Sequence, residues 1–272
     1  MGTARRRPLQ EEWRVKHMEL SDWMPWYEKI AHRLGLCREK DQEATDYLSG
    51  LFEDKHLSLR QAHVVVDGRV VIVFGAGPSL AGDVRNLRQA GLLQRCCLIS
   101  ADGATTAVMD VGRLVPDMIA TDLDGRVEDQ IEASLNGSIL VVHAHGDNIP
   151  ALKRIESRLG NRNIGSTQVE PRRHVHNFGG FTDGDRAAFL AVELGAKAVV
   201  LAGMDFGDMV GEYSKPDARA STMKMTKLHI GLELLSWLST RTRIQLLNIT
   251  EHGVNIEGFK RATLEEVEVL FV

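Results

Sequence analysis

Short runs of consecutive apolar residues alternate with stretches that are apolar on one helical face through most of the chain after residue 67. The runs fall at 69–74, 96–100, 118–121, 138–143, 174–178, 198–202 and 243–249, all but 174–178 rich in Val, Ile, Leu or Ala. Helical spacing occupies 79–90, 130–135, 151–159, 185–194 and 223–238 between them. Strands that are apolar at every position, separated by helices, indicate a mostly parallel sheet buried on both faces. The expected fold is therefore α/β and Rossmann-like, with helices on both faces of the sheet. Ahead of it, Trp13, Met18, Trp23, Trp26, Tyr27, Ile30, Leu34, Tyr47, Leu48 and Leu51 recur at helical intervals among charged residues. This predicts a small helical segment over 1–66 leaning on an α/β body over 67–272, with a turn at Asp67-Gly68. Ser21 or Asp22 is expected to cap the second helix and Gly35 to end it. The stretch 207–221 reads as a flexible loop.

In such sheets ligands bind beyond the carboxyl ends of the strands. Six aspartates fall at that edge: Asp102, Asp122, Asp124, Asp147, Asp183 and Asp185. The Asp122-Leu123-Asp124 pair repels itself unless a cation lies between, and with Asp102 it makes a hard oxygen set suited to Mg²⁺. The bland alternative is that Asp124 caps the following helix.

Gly75-Ala76-Gly77-Pro78-Ser79 is a glycine turn from strand to helix, where backbone amides can approach a phosphate. Leu80 replaces the third glycine of a dinucleotide fingerprint, and no Gly-Lys-Ser/Thr follows, so a nicotinamide site and a Walker loop are disfavoured. Thr182 or Asp183 can cap the helix entered by a second glycine-rich turn, and Arg186 there can reach a phosphate or pair with an aspartate. Lys224 and Lys227, near the start of the long helix, are candidate charge neutralisers. His143-Ala144-His145 and His174-Val175-His176 have an alternation seen in some zinc sites, without an evident third ligand. Asp147 is open to a metal or loop-holding role, and Asp205 to pairing with the amino and ring N–H groups of a heterocycle.

Composition narrows the partners. Lys+Arg 33 against Asp+Glu 37, a formal charge of −4, excludes a globally basic nucleic-acid-binding surface. A content of 43% hydrophobic and 26% charged residues excludes the disordered and fibrous classes. Cys37, Cys96 and Cys97 form neither a disulfide set nor a zinc pattern, and the adjacent pair is expected to pack as small hydrophobes. The basic N-terminus has no apolar stretch behind it, and no uncharged run approaches the roughly 18 residues of a membrane span. A cytoplasmic protein is expected, its oligomeric state open to a homodimer.

Six strings, GAGPSL at 75–80, ADGA at 101–104, PDMIATDLDG at 116–125, HAHGDN at 143–148, GGFTDGDRA at 179–187 and GMDFG at 203–207, together resemble the archaeal 6-hydroxymethyl-7,8-dihydropterin pyrophosphokinase family. That family is itself similar to thiamine pyrophosphokinase, whose acidic segments hold Mg²⁺ and diphosphate. The resemblance implies Mg²⁺ as cofactor, ATP as co-substrate and a pterin alcohol as acceptor. It implies Asp102, Asp122 and Asp124 as catalytic metal ligands, with Asp183 and Asp185 next. Gly75, Gly77, Pro78, Ser79, Thr182, Arg186, Lys224 and Lys227 are then expected at ATP, and His145, Asp147, Asn148 and Asp205 at the acceptor. A related domain occurs in flagellin-glycosylation proteins, so a nucleotide-sugar glycosyltransferase, a thiamine-type pyrophosphokinase and a non-catalytic nucleotide sensor stay open.

Overall fold

The computed structural model describes residues 18–207, 211–214 and 222–272, so Trp13 and much of the expected 207–221 loop lie outside the described residues. Three helices lead: α1 (Leu20–Leu34), α2 (Arg38–Leu51) and α3 (Leu59–Val66). An alternating stretch follows: β1 (Val70–Phe74), α4 (Leu80–Gln89), β2 (Cys97–Ala101), α5 (Ala104–Asp110), β3 (Met118–Thr121), α6 (Val127–Leu135), β4 (Ile139–Ala144) and α7 (Ile149–Ile155). The rest comprises β5 (Asn163–Thr167), β6 (Val175–His176), α8 (Asp183–Glu193), β7 (Ala198–Ala202), α9 (Thr222–Arg241), β8 (Gln245–Asn248), β9 (Lys260–Arg261) and α10 (Leu264–Glu268).

The strands form one sheet in the order β6-β5-β4-β3-β2-β1-β7-β8-β9. Every neighbouring pair is parallel. This is the doubly covered α/β sheet that the apolar runs predict, and the alternation within a strand shows why the runs are unbroken. Val71 and Val73 face a core shared with α1, α3, α8 and α9. Val70, Ile72 and Phe74 point the other way, onto α4 and α5. Farther along that second face, Ile119, Leu140 and Val142 meet α2, α6 and α7. Water reaches neither side, so both sets of positions are apolar.

Two details of α1 divide the expectation. Gly35 ends it in the left-handed conformation, φ 66°, with its N–H on the Ala31 carbonyl, as expected. The start differs: Glu19 is the N-cap, and Ser21 and Asp22 lie inside the first turn. Asp22 there accepts a hydrogen bond from Arg241 at the end of α9, a contact no local signal announces. Cys96 and Cys97 are buried, and burial holds both thiols well above their ordinary range.

The chain builds outward from β1 to β6 and then returns to place β7 on the other flank of β1, which sets the topological switch between β1 and β7. The returning segment is α8, which packs across β1, β2, β3 and β7. Its first turn therefore lies at the carboxyl edge, beside the loops that leave β2 and β3. Among the described residues no helix is long and apolar enough to cross a membrane.

Candidate active site

A cleft of about 1260 Å³ runs along that edge, walled by the loops after β1, β2, β3, β4 and β7, the starts of α8 and α9, and the α1–α2 connection. At its centre Asp102, Asp122 and Asp124 each offer an oxygen within 4.8 Å of the other two. The backbone there is unusual. Asp102 (φ 42°) and Leu123 (φ 67°) both occupy the left-handed region. For a bulky leucine that conformation is strained. Leu123 is held in it by burial and by donating its N–H to Thr121 Oγ1 at 2.9 Å. The kink presents the aspartates on either side of it to Asp102.

Asp102 is held equally firmly. Its Oδ1 accepts from Thr121 Oγ1 at 2.8 Å, Gln130 Nε2 at 2.8 Å and the Gly125 N–H at 3.3 Å. Gly125 is required for this approach, since a Cβ on it would lie 2.2 Å from Asp102 Oδ2. Asp124 does not cap α6, whose N-cap is Arg126.

The electrostatics are those of crowded anions. Burial, and then the charge of Asp122, pushes the Asp102 carboxyl above its usual range, against the hydrogen bonds that favour its anion. Asp183 at the start of α8 lines the same cleft without joining the converging trio, and its carboxyl is pushed well up, by burial first and then by Asp122 and Asp102. His145 Nε2 lies 3.5 Å from Asp122 Oδ2. Such a set of oxygen donors, with no sulfur or imidazole in the trio, fits a hard divalent cation that relieves their repulsion. Neither histidine pair joins a metal-binding group among the described residues. His143 stacks on His145, and His174 on His56.

Several other expected residues stand at the cleft in supporting positions. Asp185 accepts the Phe181 N–H at 2.7 Å, the Thr182 N–H at 2.8 Å and the Thr182 hydroxyl. It thereby fixes the start of α8 and lies outside the trio. Arg186 is buried and donates Nη2 to the Phe181 carbonyl at 2.7 Å, bracing the same turn from within.

In the glycine turn, the Gly75 N–H bonds the Ala202 carbonyl at 2.9 Å and the Gly77 N–H the Gly203 carbonyl at 2.8 Å. Ser79 donates its N–H and hydroxyl to Asp205, at 3.2 and 2.6 Å. The turn is thus laced to the loop after β7, and these amides do not face the cleft as anion donors. Gly75, Gly77 and Pro78 still line its floor. Asp205 braces this turn with a carboxylate that also lines the cleft. Asn148 donates to the carbonyls of His143 at 2.6 Å and Asp122 at 3.1 Å, pinning the loop after β4 to the loop after β3. Asp147 is exposed at the rim, and Thr182, Lys224 and Lys227 line the wall. Lys224 Nζ donates to Ser214 Oγ at 3.0 Å.

The fold and the trio can be set beside known proteins. The family model described as "6-hydroxymethylpterin diphosphokinase MptE-like" matches residues 52–211. A 6-hydroxymethyl-7,8-dihydropterin pyrophosphokinase of Methanothermobacter thermautotrophicus is 45% identical over 234 residues, covering 84% of this chain and 99% of that protein. The chain belongs to this family.

Proteins of the same name from Pyrococcus furiosus and Methanocaldococcus jannaschii are 41% and 36% identical, covering 86% and 85% of this chain and the whole of each relative. The family's named members are diphosphotransferases, the class expected from the six strings. A glycosyltransferase structure from Magnetospirillum magneticum superposes with TM-score 0.50 at 18% identity. The superposition covers 90% of this chain and 41% of that one. That likeness concerns the fold alone, so it gives the glycosyltransferase alternative no footing in the chemistry.

Residues not anticipated in the sequence also contribute. Thr121 and Gln130 hold Asp102, while Asp41 and Gln168 line the cleft beside His143 of the HAHGDN string. Of the unanticipated four, Thr121 alone had a visible sign, its place inside the Asp-rich string.

Proposed function

We propose that the protein transfers diphosphate from ATP to the hydroxymethyl group of 6-hydroxymethyl-7,8-dihydropterin, with Mg²⁺ held by Asp102, Asp122 and Asp124. The observation that carries this reading is the convergence of the three carboxylates within 4.8 Å, in a chain of this family. Asp102, Asp122 and Asp124 would hold Mg²⁺, which would supply positive charge against that developing on the phosphates and the leaving AMP. The chain's own residues position it. Thr121, Gln130 and Gly125 fix the Asp102 oxygen, the Leu123 kink aims its neighbours, and Asp183 adds a fourth carboxylate at the rim of the trio. Lys224 and Lys227, at the start of α9, line the same cleft and complement the outer phosphates. Positioning and charge neutralisation of this kind supply most of the catalysis in phosphoryl transfer.

The test is AMP release from ATP, with and without the pterin. Pterin-dependent AMP formation that stops in EDTA is the expected result. Asp122→Asn, which replaces a charged ligand with a neutral amide, is expected to lower kcat by at least about 100-fold, since charge stabilisation at a transition state contributes on that order. Full turnover in EDTA, or in a folded Asp122→Asn protein, rejects the proposal.

A further inference from the structure

The cleft has two chemically different ends. Beside the central carboxylate trio, the start of α9 brings Lys224 and Lys227 into the lining, which suits a metal-bound polyphosphate. Toward α1 and α2 it is lined by Leu34, Leu36 and Cys37, and by three polar side chains that water barely touches. These are Asp41, His143 and Gln168, exposed by only 4%, 3% and 3%.

They are organised as a network. Asp41 Oδ2 accepts from Tyr27 Oη and from Gln168 Nε2, both at 2.8 Å. Asp41 Oδ1 accepts the Gly146 N–H at 2.8 Å. The Gln168 backbone is fixed in turn by Trp23 Nε1, which donates to its carbonyl at 2.8 Å. Three donors on a carboxylate with about four acceptor positions leave one position over, on a group whose direction is already set. His143 sits in the same wall. Its Nδ1 lies 3.3 Å from Ser166 Oγ, and its buried Nε2 makes no hydrogen bond of good geometry among the described residues, although the Gln168 side chain lies near enough to favour the protonated ring. Burial, with Arg186 and His145 adding to it, holds this imidazole neutral. A buried nitrogen without a partner is costly in a finished core and is explained by a ligand that completes it.

We infer that Asp41, His143 and Gln168 form the acceptor subsite, which reads the hydrogen-bonding edge of a planar 2-amino-4-oxopyrimidine ring fused to the hydroxymethyl-bearing ring. A carboxylate only accepts, so its one open position suits a donor on an edge that carries adjacent N–H and NH₂ groups. The adenine edge pairs a donor with an acceptor and leaves one of them facing an anion. This assigns the end near α2 to the acceptor and leaves the nucleotide to the lysine end. The inference rests on the diphosphotransfer reading and extends it to the N-terminal helices, which supply the carboxylate.

The experiment titrates full-length protein with 6-hydroxymethylpterin and, separately, with Mg-ADP, following heat of binding. Asp41→Asn and His143→Gln are compared with the wild type. Thermal melting verifies the fold, and His143→Gln keeps the question answerable if loss of the Gly146 tether unfolds Asp41→Asn. The expected result is pterin affinity reduced at least about tenfold in each folded variant, as for loss of one buried hydrogen bond to a ligand, with Mg-ADP affinity within about twofold of wild type. Weakened Mg-ADP binding with unchanged pterin binding would assign this end to adenine and overturn the inference. Unchanged binding of both ligands would make the network purely structural and overturn it as well. A wild type that binds Mg-ADP but no pterin would instead remove the diphosphotransfer reading itself, and the subsite with it.

Discussion

At the scale of single residues, the aspartates of this chain separate by what their oxygens already touch. Asp102, Asp122 and Asp124 converge on a point, whereas Asp185 and Asp205 are tied to neighbouring amides and hydroxyls. Sequence spacing shows that a carboxylate lies at a strand end. It does not show which way the side chain turns, and that depends on whether a nearby N–H lacks another acceptor. Asp83 is a further case. It accepts the Gly203 N–H at 2.8 Å and the Glu251 N–H at 3.3 Å, and burial raises its pKa to about 6. An aspartate in the unfolded chain titrates near about 3.9. The folded state therefore binds more protons between these two values. The group's stabilisation is full below about pH 4 and is lost as pH rises through about 6, an effect on the order of 2–3 kcal/mol. Melting curves of wild type and Asp83→Asn from pH 4 to 7 should diverge accordingly, with the wild type losing more stability on going up. Parallel curves would show that folding leaves the Asp83 pKa unshifted.

At the scale of elements, strands with unbroken aliphatic runs were legible and strands without them were not. β5 reads Asn163-Ile164-Gly165-Ser166-Thr167, with one aliphatic side chain, yet all five residues are buried. Asn163 Oδ1 apart, its side-chain polar groups find partners within the protein. Asn163 donates to the Lys55 carbonyl at 2.7 Å, and Thr167 Oγ1 meets Thr45 Oγ1 at 2.6 Å across to α2. Hydrogen bonding to distant partners replaced the apolar pattern, and one sequence does not carry that information. β9 was missed because it is two exposed residues at the sheet edge, and β6 is shorter than the run around it suggested. α5 lacks the leucine spacing of its neighbours, while α10 did carry a legible sign in its Thr263–Glu266 capping box.

The start of α8 was legible as a cap, and its part in the site follows from the fold. If the Asp185 carboxylate holds this turn, Asp185→Ala should cost about 1–2 kcal/mol of stability through the lost cap. It should also displace Asp183 and lower kcat, with thermal melting and AMP release as the two readouts. A loss of stability with unchanged kcat would show that the turn survives without its cap.

At the scale of the whole molecule, the helices before β1 are built into the same core as the sheet. Trp23, Tyr27 and Ile30 are almost wholly buried, in one cluster with Val71, Val73, Phe189, Leu234 and Leu235. Trp23 also packs its ring against Trp237 of α9, at 6.4 Å between centroids. On the second face, Ala44 and Leu48 of α2 lie against Leu140 and Val142 of β4. Removing residues 1–66 would uncover both surfaces at once, leaving apolar strands that need cover on each side. A fragment beginning at residue 67 is thus expected to be insoluble or to lack a cooperative thermal transition, while the full chain melts in a single step. Trp23→Ala tests the same coupling within the intact chain. Deleting a buried tryptophan of this kind costs about 3–5 kcal/mol. It also frees the Gln168 carbonyl that the indole holds beside the cleft. A Trp23→Ala protein that melts within about one degree of wild type, or a fragment 67–272 that folds cooperatively, would show that the leading helices are an appendage.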